Sequence, residues 1–254
     1  MAEHNYYETE RALGEYLLFH YGERDAVLPY AFGPAEALDF PARCVTDCLD
    51  AARVPVDGRA LDLGCAVGRA SFELARVCGH VIGVDYSHAF IAAAQRLRRE
   101  GSLAFDYSEE GGLVLNSVAR VPAGIDRGRV AFEQGDAQAL RPGLGLFDVV
   151  VMANLIDRLR EPRRCLAQLP GLVRRGGQLI ITSPYTWLED YTPREQWLGG
   201  FERDGRRIKT VDTLRELLSP AFELTGRKDL PLLIREHARK YQWSVAEVTL
   251  WARR

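Results

Sequence analysis

The chain has little cysteine, and what it has follows no pairing pattern. Cys44, Cys48, Cys65, Cys78 and Cys165 are an odd set with no C-x-x-C spacing, which argues against a disulfide framework and for a reducing, cytoplasmic setting. No histidine or further cysteine stands at ligand spacing from Cys44 and Cys48, so these two are expected to face the core and no metal is expected. Long apolar runs are also missing. The longest, around Val149-Val150-Val151-Met152-Ala153, is half the ~20 residues that span a bilayer, so no membrane partner is expected. The start, Met1-Ala2-Glu3-His4-Asn5, has neither the basic residues nor the apolar core of a secretory leader. Charge of one sign is lacking too: 33 Lys and Arg against 35 Asp and Glu leave a net charge of -2. That provides no field to gather phosphate backbones, and nucleic acid is not an expected partner.

What is present is ordinary globular material. Of 254 residues, 47% are hydrophobic and 27% charged, enough to bury a core without staples. From Ala60 onward, short β-branched runs alternate with helical patterns, the signature of an α/β fold with a parallel sheet covered on both faces. The expected strands are 61–63, 81–84, 130–132, 147–152 and 178–182, with helices over 69–77, 87–100, 162–172 and 210–218. Two long strands, 222–225 with its continuation and 244–252, close the chain. Residues 1–57 stand outside this alternation and read as an N-terminal helical cap, with helices over 8–21 and 40–53 joined by a Pro/Gly-rich link. Residues 58–254 form the core. Within it, 101–128 reads as an inserted β-hairpin, two alternating runs flanking Glu109-Glu110-Gly111-Gly112.

The strand Ala60-Leu61-Asp62-Leu63 runs directly into Gly64-Cys65-Ala66-Val67-Gly68 and then a helix, which places a glycine loop where a parallel strand delivers its ligand edge. A dinucleotide fingerprint needs glycine where Ala66 stands, so a nicotinamide oxidoreductase is disfavoured. S-Adenosylmethionine carries no phosphate and needs no such clearance. Asp85 ends the second strand, where a carboxylate can accept both ribose hydroxyls, and its sign suits a sulfonium ligand. Gly135-Asp136-Ala137 puts another carboxylate at the same edge, for the adenine amino group.

Together, Asp62 to Gly68, Val84-Asp85-Tyr86-Ser87, Gly135-Asp136-Ala137 and Phe147-Asp148-Val149-Val150 resemble the ordered motifs of class I S-adenosylmethionine-dependent methyltransferases. The resemblance implies a Rossmann-like seven-stranded sheet whose last strand is antiparallel, and a cofactor set of Asp62, Gly64, Cys65, Gly68, Asp85, Tyr86, Asp136, Ala137 and Asn154. The segments outside the core, among them Tyr6-Tyr7-Glu8-Thr9, Tyr16 to Gly22, Pro29 to Pro34, Phe40 to Cys44, Ser183 to Leu188, Trp197 to Gly200 and Arg235 to Trp243, are similar to the mercaptohistidine N-methyltransferase family. That likeness implies methylation of a ring nitrogen of a thiol-bearing histidine, the last step of ovothiol biosynthesis.

Topology places the acceptor beyond the carboxyl ends of the strands. Asp157 is the expected tautomer-fixing acceptor at the ring, with Asn154 toward the cofactor and Tyr185 lining the ring. Tyr7, Tyr16, Tyr30, Phe32, Arg43, Arg158, Trp187, Arg235 and His237 are the expected substrate contacts. An amino acid with an imidazole needs a carboxylate clamp, an acceptor for its ammonium and flat walls, and these residue types provide all three. Two other readings stay open: methylation of another small metabolite, and a catalytically silent methyltransferase-like binding module.

Overall fold

A computed structural model describes residues 6–254, so the first five residues, on which the absence of a leader was read, lie outside the described residues. The cap opens with α1 (Glu10–Tyr21), capped by Thr9, whose side chain accepts the Ala12 N–H. A short α2 (Arg24–Val27) and α3 (Phe40–Thr46) follow. Next come β1 (Arg59–Leu63), α4 (Arg69–Leu74), β2 (His80–Asp85) and α5 (His88–Glu100). The insertion is the hairpin β3 (Ser102–Glu110) and β4 (Leu113–Arg120), and the alternation resumes with β5 (Val130–Gln134), β6 (Phe147–Ala153), α6 (Pro162–Gln168) and β7 (Val173–Ser183). A small hairpin of β8 (Phe201–Arg203) and β9 (Arg206–Ile208) precedes α7 (Thr210–Leu218), β10 (Phe222–His237) and β11 (Lys240–Arg253).

Seven strands form one sheet in the order β10-β11-β7-β6-β1-β2-β5. All pairs are parallel except those of β11, which runs antiparallel to both β7 and β10, as expected of the last strand. The sheet is covered on both faces because its strands carry two apolar sets. On β1, Ala60 faces a core shared with α1, α3, α4 and α5, while Leu61 and Leu63 face a second core shared with α6 and α7. The buried run from Phe147 to Met152 on β6 is the consequence of that double cover. The cap is continuous with the first core, since Ala12, Leu17 and Leu18 of α1 are buried in the same cluster as Val149 and Val151.

Several boundaries differ from the sequence reading. The helix expected over 40–53 stops at Thr46, because local groups compete for the chain. The Asp47 carboxylate takes Arg43 and the Thr46 hydroxyl, and the Asp50 backbone N–H and C=O both pair with the Gln178 side chain, at 3.0 and 2.9 Å. Helix α4 ends at Leu74 rather than Val77. Helix α6 ends at Gln168, where a 3-10 turn containing Pro170 takes over. Hairpin β8–β9 was not anticipated, although its Asp204-Gly205 turn, with φ of 51° and 72°, is the D-G signal of a tight hairpin.

The inserted hairpin sits as expected and seals the outer side of α1. Gly14 is where the two elements come closest: a Cβ there would collide with the Asp106 carbonyl oxygen. In an exposed helix, Gly to Ala gains about 1 kcal/mol; here the collision reverses the sign. Gly14→Ala should destabilise the protein by about 1 to 3 kcal/mol, the scale of overpacking, read as a lower denaturation midpoint in urea with unchanged slope.

Candidate active site

The carboxyl edges of β1, β2, β5, β6 and β7 bring four aspartates to one side of the sheet. After β1, Gly64 and Cys65 donate to the Val84 carbonyl, at 2.8 and 3.1 Å, folding the glycine loop onto the end of β2. Gly64 has φ of 74°, and a Cβ there would meet Leu155 at 2.9 Å. Gly68 has φ of 87°, and a Cβ would stand 2.5 Å from the Phe132 ring, so glycine is needed to seat α4 against β5. Ala66 also lies in the left-handed region, φ 46°; its N–H is held by Asp85 Oδ2 at 2.9 Å.

Asp85 uses its other oxygen for the Ser87 N–H, also at 2.9 Å. Burial raises its pKa, opposed by those two backbone donors. Asp62 is deeper. Its Oδ2 accepts the Ser71 hydroxyl at 2.6 Å, while Oδ1 is buried with no partner. Burial, assisted by the charge of Asp85, lifts its pKa to about 7 against the Ser71 hydrogen bond. Asp136 closes a turn after β5 by accepting the Gln138 backbone and side-chain N–H groups through Oδ1 alone. Among the flanking residues of the cofactor set, Cys65 and Ala137 are buried and Tyr86 is exposed.

The ends of β6 and β7 are tied together. Asn154, φ 51°, donates its N–H to the Thr182 carbonyl, and its Oδ1 accepts the Thr182 hydroxyl at 2.9 Å. Asp157 is fully buried and both its oxygens are engaged: Oδ1 by the Ser183 hydroxyl at 3.0 Å, Oδ2 by the Thr186 N–H at 3.0 Å and Arg158 at 2.9 Å. Its expected contact with an acceptor ring is therefore corrected. A carboxylate with no exposed surface holds the turn after β7 rather than touching a ligand. Tyr185 sits in that turn at φ 54°, a strained conformation for a bulky residue that costs about 1 to 3 kcal/mol. Its N–H is held by Ser183 Oγ at 3.0 Å and its hydroxyl donates to Glu247 at 2.7 Å.

The cap closes over this edge. The Ser87 hydroxyl donates to the Tyr7 carbonyl at 2.9 Å, and Glu8 accepts the first N–H groups of α5, from His88 and Ala89, at 2.8 and 3.1 Å. Tyr21 donates to the Val67 carbonyl of the glycine loop at 2.8 Å. Between these fastenings, Tyr7 packs against Tyr16, Phe90 and Tyr191 with ring centroids 5.9 to 6.1 Å apart, and Arg158 lies 4.9 Å over the Tyr191 ring. Burial pushes the Tyr7 and Tyr16 hydroxyls well above their ordinary range, against the charge of Arg158. His20 is buried beside Tyr16 with Nδ1 unpartnered, and burial together with Arg69 lowers its pKa to about 3.

Tyr7, Tyr16 and Arg158 are thus brought to the site, and the other expected substrate contacts are not. Tyr30 donates to the Ala238 carbonyl and stacks on Phe32, which is 89% exposed on the far side of the cap. Arg43 pairs with Asp47 and the Glu36 carbonyl. Arg235 is spent on the Ala26 carbonyl and the Tyr107 ring. His237 accepts the Arg239 N–H in the β10–β11 turn. Trp187 is core, its indole held by Thr210 at 3.0 Å. The antiparallel strand does return its turn to this edge, but the long β10–β11 hairpin carries that turn past the site to the cap. Sequence reasoning missed Tyr191, Glu8 and Thr182. Tyr191 lies in a stretch with no regular periodicity, and Glu8 matters only through the fold.

The similarities agree with this geometry. Residues 61–181 match the family described as "Methyltransferase domain". Over those residues the chain is similar to a methyltransferase domain, and its seven-stranded sheet has the Rossmann-like methyltransferase fold. It is 25% identical to the ubiquinone biosynthesis O-methyltransferase of Cereibacter sphaeroides over 178 residues, 67% of this chain and 62% of that protein. The chain thus spans under two thirds of the length of that relative. Its fold is that of the N-methyltransferase NodS from Bradyrhizobium japonicum in complex with S-adenosylhomocysteine, with a TM-score of 0.54 at 15% identity, covering 95% of this chain and 98% of that one. A methyltransferase from Methanosarcina mazei gives 0.51 at 19% identity, covering 79% and 94%.

The residues fit the cofactor: the unpartnered oxygen of buried Asp62 and the half-used carboxylate of Asp136 await donors, and the aspartates suit a cation. Asp62 also carries a pH dependence. Its folded pKa lies above that of the unfolded chain, so its stabilisation is complete below about 4 and lost as pH rises through about 7. A cation binding beside it favours the ionised form. Affinity for S-adenosylmethionine relative to uncharged-sulfur S-adenosylhomocysteine should therefore rise severalfold between about pH 6 and pH 8. In Asp62→Asn the ratio should be flat, as isothermal calorimetry at several pH values would read.

Proposed function

We propose that the chain methylates an imidazole nitrogen of mercaptohistidine, completing ovothiol biosynthesis. The observation that carries this reading is the cluster of Tyr7, Tyr16 and Tyr191 at the sheet edge, with Arg158 over the Tyr191 ring. Flat walls with hydroxyl tips and one cation suit a small planar heterocycle with an anionic group, here the thiolate or carboxylate. The likeness of the segments outside the core to the mercaptohistidine family supports the same acceptor. The name of the Cereibacter relative points to O-methylation instead, which the test below includes.

In this reading Asp85 takes the ribose hydroxyls with the lone pairs its two backbone donors leave, Asp136 takes the adenine amino group, and Asp62 balances the ligand's positive charge. Gly64, Cys65, Gly68, Tyr86, Ala137 and Asn154 shape the walls between them. S-Adenosylmethionine supplies an electrophilic methyl group on a cationic sulfur. The acceptor's ring nitrogen would take the methyl group with its free lone pair, sulfur keeping the electron pair of the broken C–S bond, and the ring proton would pass to solvent as the product leaves. The protein's part is alignment and exclusion of water by the tyrosine cluster. Asp157 is a positioning residue, acting through Ser183 and the turn that carries Tyr185.

Purified protein incubated with S-adenosylmethionine and mercaptohistidine should yield a product heavier by one methyl group, its position on the ring assigned by NMR. Methylation of a catechol hydroxyl with none of the imidazole would overturn the proposal. Separately, Asp85→Ala should weaken cofactor affinity by roughly 1.5 to 3 kcal/mol, the loss expected of charge-assisted hydrogen bonds. Calorimetry on the folded variant checks this, and unchanged affinity would reject the ribose assignment.

A further inference from the structure

The start of α5 is completed by a residue that does not belong to it. A helix begins with backbone N–H groups that have no partner inside it, and here side chains take all of them. Asp85 accepts from Ser87 at 2.9 Å, and the Ser87 hydroxyl accepts from Phe90 at 3.1 Å. The two between, from His88 and Ala89, go to Oε1 and Oε2 of Glu8, at 2.8 and 3.1 Å. Glu8 is exposed and lies 80 residues before His88 in the chain. It ends the 3-10 turn Tyr6–Glu8, which is fastened on its other side as well. Thr9 donates its N–H and its hydroxyl to the Tyr6 carbonyl, at 3.1 and 2.8 Å, while its hydroxyl oxygen caps α1. Adjacent residues thus cap two different helices, and Tyr7 is carried in the turn they clamp.

We propose that Glu8 is a positioning residue for the acceptor, seating Tyr7 at the cofactor edge by clasping the first turn of α5 from outside. The ring contacts of Tyr7 share that turn: Phe90, 6.0 Å from the Tyr7 ring, is the third residue of α5, and Tyr16 and Tyr191 stand at 5.9 and 6.1 Å. Without Glu8, the backbone of the Tyr6–Glu8 turn keeps a single hydrogen bond to α5 among the described residues, from the Ser87 hydroxyl to the Tyr7 carbonyl. A carboxylate that accepts two N–H groups at the positive end of a helix makes charge-assisted bonds, so the clasp holds although its side chain faces water. Placement matters because a shift of about 1 Å in a group that aligns the reactants costs up to ~10² in rate. The assignment rests on the tyrosine cluster argued above and not on the identity of the acceptor.

The full-length protein is assayed at saturating S-adenosylmethionine with mercaptohistidine and with a catechol. For whichever of these the wild-type protein methylates, Glu8→Ala should raise KM about tenfold with kcat within about threefold, the split expected when an acceptor wall is misplaced. Its S-adenosylmethionine affinity, measured by calorimetry, should stay within about twofold of wild type, because Asp85 keeps both of its backbone donors. Glu8→Gln, which retains one acceptor oxygen, should fall between the two. A second readout needs no acceptor: hydrogen exchange of the Thr9 amide should be about tenfold faster in Glu8→Ala, while amides in the second half of α1, anchored in the core, are unchanged. Unchanged KM or unchanged Thr9 exchange would overturn the assignment. A loss of S-adenosylmethionine affinity equal to the loss for the acceptor would also overturn it, since Glu8 would then serve α5 and Asp85 rather than Tyr7. Turnover of the catechol with none of the imidazole would remove the mercaptohistidine reading alone, and the effect of Glu8→Ala on the catechol's KM would still decide this one.

Discussion

The Asp85 carboxylate joins the parts from which the site is made. One oxygen holds the Ala66 N–H, keeping the glycine loop in a left-handed turn that alanine adopts only at a cost; the other holds the Ser87 N–H, where α5 begins. Ser87 in turn anchors the Tyr7 carbonyl, and Glu8 beside it caps α5. A single buried acid therefore connects the end of β2, the loop after β1, the first turn of α5 and the cap that closes over them. Its burial raises its pKa, which is tolerated because each oxygen is matched by a backbone donor.

Electrostatics of the edge follow from that arrangement. Asp62, Asp85, Asp136 and Asp157 all collect where the parallel strands end, and among the described residues only Asp157 has a cation bonded to it, Arg158. Asp62 is held neutral to about pH 7 by burial without a counter-charge. Such a cradle is well matched to a cationic ligand. His20 is kept neutral for a different reason, burial first and the Arg69 cation second.

A second consequence is division of the edge into compartments. Asp157 and Ser183 fix the turn after β7, and that turn throws Tyr185 away from β6 toward β11, where Glu247 and Arg227 receive it. The cofactor side is thus closed by tyrosines of the cap, and the far side by a tyrosine of the core. Helix α1 can serve as a cover because it is not a detached lid. It shares the sheet's first hydrophobic core and is pressed from outside by the β3–β4 hairpin.

The amino-acid sequence by itself determined the sheet, the glycine loop and the aspartates that end its strands. These depend on short-range features: alternation of apolar residues, a glycine that must follow β1, a carboxylate at the end of β2. It also revealed the inserted hairpin, because two alternating runs around a Gly-Gly turn have no other use, and the tyrosines of the cap. Only the tertiary structure decided what those pieces meet. Arg43, Arg235 and His237 carry the right chemistry, yet the early end of α3 and the length of the β10–β11 hairpin commit them elsewhere. Asp157 follows a strand as a ligand-facing residue should, but its surroundings bury it completely. Tyr191 and Glu247 lie 184 and 240 residues from Tyr7 and contribute only because the fold returns the chain to the same edge. Strand and turn formation are local and leave a periodic trace in the sequence; the contacts that complete a site close long loops between distant residues, and no local pattern encodes which ends will meet.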